Sequence, residues 1–251
     1  MGDPDDGPRG WARPLHERVL DTAGVGAGTI LLDLGCGAGV FARAAADRGA
    51  RVRGVDADGS AVARAVAAVP DGEFRVGDVH ELSEADATVD VVAAVQLITH
   101  VTNPVQVFRE AARVVRPGGA VAVTVWGRED ECDIRVFGEA LAPWLPPRRP
   151  AGRSPTTHPP PVTEPDRLRR LVALAGLVVA TVDEVTCPFV YPDEDELLAP
   201  LFDSSLGRHV TDRAGPAAVR TAVLNRLAPH RTPTGGYHLN NLFRVLVAHR
   251  P

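Results

Sequence analysis

The stretch Ile30-Leu31-Leu32-Asp33-Leu34-Gly35-Cys36-Gly37-Ala38-Gly39 decides how this chain is read. An apolar run of strand length stops around an acidic residue. Glycines then alternate with small residues. From Val40 a helical pattern begins, with Phe41, Ala44 and Ala45 on one side. A strand, a tight loop and a helix in that order open a βαβ unit.

The neighbouring sequence continues the alternation. Upstream, Arg9–Ala23 reads as a helix, with Trp11, Leu15, Val19 and Leu20 at helical spacing. Downstream, Arg51–Val55 is a strand ending at Asp56, Ser60–Val69 an alanine-rich helix and Glu73–Val76 a short strand. Val89–Val95 is a continuous apolar run, as expected of a strand buried on both faces. Pro104–Val115 is a helix with proline in its first turn, Pro117-Gly118-Gly119 a turn, and Ala120–Trp126 another buried strand. This alternation predicts right-handed crossovers and a parallel, doubly wound α/β sheet.

Regularity breaks after Trp126. Gly127–Thr163 is rich in Pro and Arg, with a helical stretch near Ile134–Leu145 and a candidate loop at Pro143–Pro161. Pro165–Ala175 reads as a helix and Leu177–Thr186 as a strand. Helical stretches near Asp193–Phe202 and Pro216–Leu227 precede a last apolar strand, Leu242–Ala248. The interruptions are too long for simple loops. The expectation is a single domain over 1–251, with lid insertions at about 127–163 and 188–240.

Composition narrows the function. The net charge is −5 and every fixed positive charge is an arginine, with no dense basic block, so a duplex nucleic-acid partner is not expected. A small-molecule substrate fits better. Met1–Pro8 has no apolar core, and no stretch approaches transmembrane length. No membrane contact and a cytoplasmic location are therefore expected. The wealth of Ala, Gly, Pro and Arg points to a high-GC bacterial genome. Cys36, Cys132 and Cys187 are far apart without a C-x-x-C, so neither zinc nor a disulfide framework is indicated. No H-x-x-x-H or acidic triplet indicates another metal.

The glycine spacing narrows it further. Strand–loop–helix junctions of this kind bind adenosine-type cofactors. The dinucleotide fingerprint G-x-G-x-x-G would need glycine at position 40, where Val40 stands; the spacing is G-x-G-x-G. Val40 and the lack of a hydride-transfer acid argue against a dinucleotide-dependent oxidoreductase.

Four features in order carry a resemblance: Leu31–Gly39, Val55-Asp56, Gly77-Asp78-Val79 and Arg113–Gly119. With them the chain resembles a class I S-adenosylmethionine-dependent methyltransferase over residues 29–126. The resemblance implies a seven-stranded, Rossmann-like, mostly parallel sheet with its last strand antiparallel beside strand five. It also implies S-adenosylmethionine at Asp33, Gly35, Cys36, Gly37, Gly39, Asp56, Ala57, Asp78, Val79 and Gln96. Asp33 would take the methionine ammonium or cap the loop. Asp56 lies about where an acid meets a ribose diol, with Asp58 as a competitor that also suits helix capping. Asp78 would read the adenine amino group, with the Val79 N–H on the ring, or simply close a turn. Gln96 would orient the donor or support its loop. One departure is Val89, where the family often has an aromatic residue.

Methyl transfer needs alignment and dryness more than a fixed catalytic set. The candidate catalytic residue is His100, in Gln96–Val101, as a general base or as a packing or capping histidine. Trp126, Trp144, His158, Tyr191, Phe202 and His238 are candidate acceptor-pocket residues. The expected activity is methyl transfer to a small molecule, with a specialised metabolite in a biosynthetic pathway as the acceptor the resemblance implies. The alternative is an enzyme using the bound cofactor as a non-donating scaffold for cyclisation or pericyclic chemistry. Neither monomer nor homodimer is favoured by the sequence.

Overall fold

The computed structural model describes residues 7–146 and 161–251. The chain forms two compact units. The larger unit, 13–126, 160–185 and 243–251, holds the alternating elements. They are α1 (Arg13–Thr22), β1 (Ile30–Leu34), α2 (Val40–Asp47), β2 (Arg51–Asp56), α3 (Gly59–Ala68), β3 (Glu73–Val76), β4 (Val89–Ala94), α4 (Pro104–Val114) and β5 (Val115–Trp126). The smaller unit, 1–12, 127–159 and 186–242, contains α5 (Arg135–Leu141) in its described part. Next in the chain are α6 (Pro165–Ala173) and β6 (Val178–Tyr191), followed by α7 (Glu194–Asp203), α8 (Ser205–Ala214), α9 (Pro216–Leu227) and β7 (Tyr237–His249).

The sheet has seven strands in the order β3-β2-β1-β4-β5-β7-β6. Strands β1 to β5 run parallel; β7 is antiparallel to β5, with Val121 opposite Ala248 and Trp126 opposite Phe243. The doubly wound α/β class and the antiparallel insertion beside strand five are as the sequence predicts. The core explains the apolar runs. Leu32, Leu34, Val92, Val121, Val123 and Leu246 pack with Val107, Phe108 and Ala111 of α4 and Leu168, Leu171 and Val172 of α6. Burial of such side chains contributes roughly 1.5–3 kcal/mol each.

Helix starts follow local chemistry. Asn103 caps α4, accepting from the Gln106 N–H at 3.2 Å, and Pro104 occupies the first turn, where its missing N–H costs nothing. Asp58 caps α3 through the Ser60 N–H at 2.8 Å. Four boundaries differ from the sequence reading. The strand expected at Ala120 extends back to Val115 because β4 pairs with Val115 before the Pro117-Gly118-Gly119 turn and again from Ala120, across a register shift. The last two strands run on to Tyr191 and back to Tyr237. Helix α1 begins at Arg13 rather than Arg9.

In the smaller unit α5 packs on α9, and α7 on α8. Helix α8 was not legible in the sequence: its buried residues are only Gly207 and Val210. Of the acceptor-pocket candidates there, Tyr191 is buried, Trp144 and Phe202 are half-buried and His238 is exposed. Most of the candidate loop 143–161, His158 included, lies outside the described residues.

Candidate cofactor site

The site is built where three parallel strands end side by side. Asp33 on β1 lies between Gly54 of β2 and Ala93 of β4. Apolar strands around it leave its side chain only 2% exposed, and its Oδ2 has no hydrogen-bond partner among the described residues. Burial, and then the neighbouring charge of Asp56, push its pKa well above the ordinary carboxylate range. A buried, unpartnered carboxyl oxygen is costly, so it signals a group to be met there.

The glycine loop follows. Gly35 and Cys36 both donate to the Val55 carbonyl, at 2.8 and 3.1 Å, which ties the loop to β2. Gly35 sits at φ 68°, and a Cβ there would come within 2.7 Å of Leu97 Cδ1, so this position needs glycine. Gly37, at φ 50°, has nothing within 4 Å on that side, an open approach to the backbone. The Gly37 N–H donates to Asp56 Oδ2 at 2.8 Å, and the Asp58 N–H to Asp56 Oδ1 at 2.9 Å. Two amides therefore fix the half-buried Asp56 carboxylate, and each oxygen keeps accepting capacity for a further donor. The Asp58 side chain is engaged by Ser60 at the start of α3, so it caps, as the sequence allowed.

A helix opening at this loop offers free N–H groups to a carboxylate. Within the loop, the Gly35, Cys36, Gly37 and Gly39 amides bond inside the structure, Gly39 to the Cys36 carbonyl at 2.9 Å. Among the described bonds, this leaves Ala38 and the first turn of α2 as anion donors. Cys36 is buried, and burial, with Asp33 and Asp56 nearby, raises its thiol pKa to about 12, so it is no nucleophile.

Ala57 is exposed beside Asp56. After β3, Asp78 is exposed, and its Oδ1 accepts from the His80 N–H at 2.8 Å and lies 2.7 Å from His80 Nδ1. The backbone contact first, and the ring second, lower its pKa. Val79 is buried beneath. After β4, Gln96 donates twice to Thr124 Oγ1, from its backbone at 2.8 Å and from Nε2 at 2.9 Å. His100 is exposed, and its N–H closes a turn on the Leu97 carbonyl at 2.9 Å. Trp126 is half-buried with its ring 4.3 Å from that of Phe243. Thr124, Leu97 and His80 are the residues the sequence reading missed. A lone threonine inside the apolar run Ala120–Trp126 was the only signal for Thr124; the other two gave none.

Among the described residues no group of three or more His, Cys, Asp or Glu side chains could hold a metal ion, and no helix is long and apolar enough to cross a membrane.

Comparison with known proteins follows the same boundaries. Residues 32–123 match the family described as "Methyltransferase domain". Over those residues the chain carries a methyltransferase domain. It is 41% identical over 102 residues to a "Probable S-adenosylmethionine-dependent methyltransferase" of Mycolicibacterium smegmatis, covering 41% of this chain and 40% of that one. It is 35% identical over 133 residues to a "Ubiquinone biosynthesis O-methyltransferase" of Alkalilimnicola ehrlichii, covering 48% and 54%. The chain thus spans about half the length of the curated relatives it matches. Among solved structures, the [4+2]-cyclase SpnF superposes with a TM-score of 0.62 at 21% identity, over 100% of this chain and 86% of that one, a likeness of fold. The cofactor of the methyltransferase domain is S-adenosylmethionine, which carries an ammonium, a carboxylate, a ribose diol and an adenine. The orphaned Asp33 oxygen, the open side of Gly37 and the fixed Asp56 carboxylate fit that group.

Proposed function

We propose that the chain transfers the sulfonium methyl of S-adenosylmethionine to a small-molecule acceptor by direct displacement. The observation that carries this reading is the buried, unpartnered Asp33 Oδ2 beside the glycine loop. Bound S-adenosylmethionine supplies an activated methyl group on a positively charged sulfur. Asp33 receives the ammonium and gains the partner it lacks. Ala38 and the first turn of α2 donate to the carboxylate. Asp56 accepts from the ribose hydroxyls, with Ala57 beside it. Asp78 accepts from the adenine amino group, while the Val79 N–H meets the ring. His100 takes the acceptor's proton where the acceptor must lose one. The acceptor is read as a specialised metabolite. A bacterial, cytoplasmic setting belongs to the same reading, supported by the bacterial sources of the matching relatives.

A second reading keeps the cofactor as a positively charged scaffold for cyclisation. It is favoured by the exposed His100, whose ring makes no hydrogen bond among the described residues. The fold likeness to a cyclase is compatible with it. One experiment separates the two. Calorimetry with S-adenosylmethionine, and with NAD as control, tests the site. Incubation with hydroxylated small molecules then tests for S-adenosylhomocysteine. Methyl transfer releases it in step with methylated product; a scaffold converts substrate without releasing any. Tight NAD binding without S-adenosylmethionine binding would overturn both.

A further inference from the structure

Thr124 is 1% exposed in the otherwise apolar run Ala120–Trp126 of β5. Its hydroxyl oxygen receives both donors of one residue, the Gln96 backbone N–H at 2.8 Å and Nε2 at 2.9 Å. Gln96 holds φ at 55°, and it shares positive φ with only one other non-glycine residue among those described, Ala87. Left-handed backbone at a residue without a special preference for it is strained and needs something to hold it. The two bonds to Thr124 do so. The next residue, Leu97, lies against Gly35, so the turn is pinned at the glycine loop as well as at β5. With Nε2 committed to Thr124, Oε1 is the carboxamide atom left to meet a ligand.

We propose that Thr124 is a positioning residue for donor discrimination: it fixes the Gln96 carboxamide so that its carbonyl oxygen faces the positive sulfonium. This rests on the cofactor reading above. A neutral dipole fixed in this way favours the sulfonium cation over the uncharged thioether left after transfer. It therefore favours S-adenosylmethionine over S-adenosylhomocysteine and aids product release.

Thr124→Val keeps the shape and removes the acceptor; Thr124→Ser keeps the acceptor and trims the shape. Calorimetry with both ligands reads the result. Thr124→Val is expected to weaken S-adenosylmethionine binding about tenfold and S-adenosylhomocysteine binding by less than about threefold, while Thr124→Ser stays within about twofold of wild type for both. Amide exchange over residues 96–100 quickens in Thr124→Val alone. A role in packing alone predicts the reverse order, with the serine variant the weaker. Should Thr124→Val fail to fold, Gln96→Gly accepts the left-handed backbone without strain, removes the carboxamide and should show the same selective loss. Equal loss for both ligands, or no loss, overturns the proposal. Wild-type protein that binds neither ligand overturns the cofactor reading beneath it, a distinguishable failure.

Discussion

Asp33 carries a cost to stability that a bound cation would relieve. Its folded pKa is raised, so the folded protein holds the proton more tightly than the unfolded chain does. The cost of its charge is absent below the unfolded pKa and grows as pH rises toward the folded one. Asp33→Asn removes that cost with little change of shape. The expected outcome is a melting temperature at pH 8 equal to or above wild type, with S-adenosylmethionine affinity lowered at least about tenfold. Thermal melts and calorimetry on the same samples check it. If Asp33 meets the ammonium, wild-type affinity also climbs with pH, because pairing favours the charged carboxylate; Asp33→Asn flattens that slope. Asp56 tests the diol contact. Asp56→Ala is expected to weaken binding about tenfold, on the order of 1.4 kcal/mol. His100→Ala is expected to lower turnover more than cofactor affinity. Asp33 and Asp56 were readable from motif spacing. Thr124 and the strained backbone of Gln96 were not, because a hydrogen bond from the turn after β4 to a residue of β5 leaves no periodic trace in sequence.

At the scale of elements, Asp56 at the end of β2 and Asp58 just beyond it have different surroundings. Asp56 takes two amides and faces the loop; Asp58 closes the first turn of α3. Asp58→Ala is therefore expected to lower the melting temperature by a few degrees and leave S-adenosylmethionine affinity unchanged, the opposite of Asp56→Ala. Paired melts and titrations decide this, and a loss of affinity in Asp58→Ala would reassign the diol contact. Several elements of the larger unit were legible from their punctuation or their apolar runs: Gly39 and Gly49 bracket α2, Gly72 and Gly77 bracket β3, and β4 is a continuous apolar run apart from Asp90. Helix α8 was not. Its Gly207 would place a Cβ within 1.8 Å of the Leu201 carbonyl, so this glycine serves close helix packing, whereas sequence reads glycine as a breaker.

For the whole molecule, the sharpest expectation is an acid limit on folding set by His16. It sits on α1, 8% exposed, with its ring edge-on to Phe41 of α2 at 5.3 Å between centroids. Sequence could place it on the buried stripe of α1 only as part of a helical pattern, since the partner face is supplied by α2. Burial lowers its pKa from 6.5 to about 4. The unfolded chain thus takes up a proton before the folded one does. The neutral form's full contribution is present above the unfolded pKa and is lost as pH falls from about 6.5 toward about 4. A shift of that size corresponds to roughly 3 kcal/mol, a large share of a typical folding free energy. His16→Gln removes the titration at some cost in packing at neutral pH. Urea unfolding at pH 7.5 and pH 4.5 closes a cycle in which every other titrating group cancels. Wild type should lose about 2–3 kcal/mol more than His16→Gln over that interval. Equal losses in the two proteins would mean that α1 admits water to His16, and that the docking of α1 on α2 is looser than its buried Leu15, Val19 and Leu20 imply.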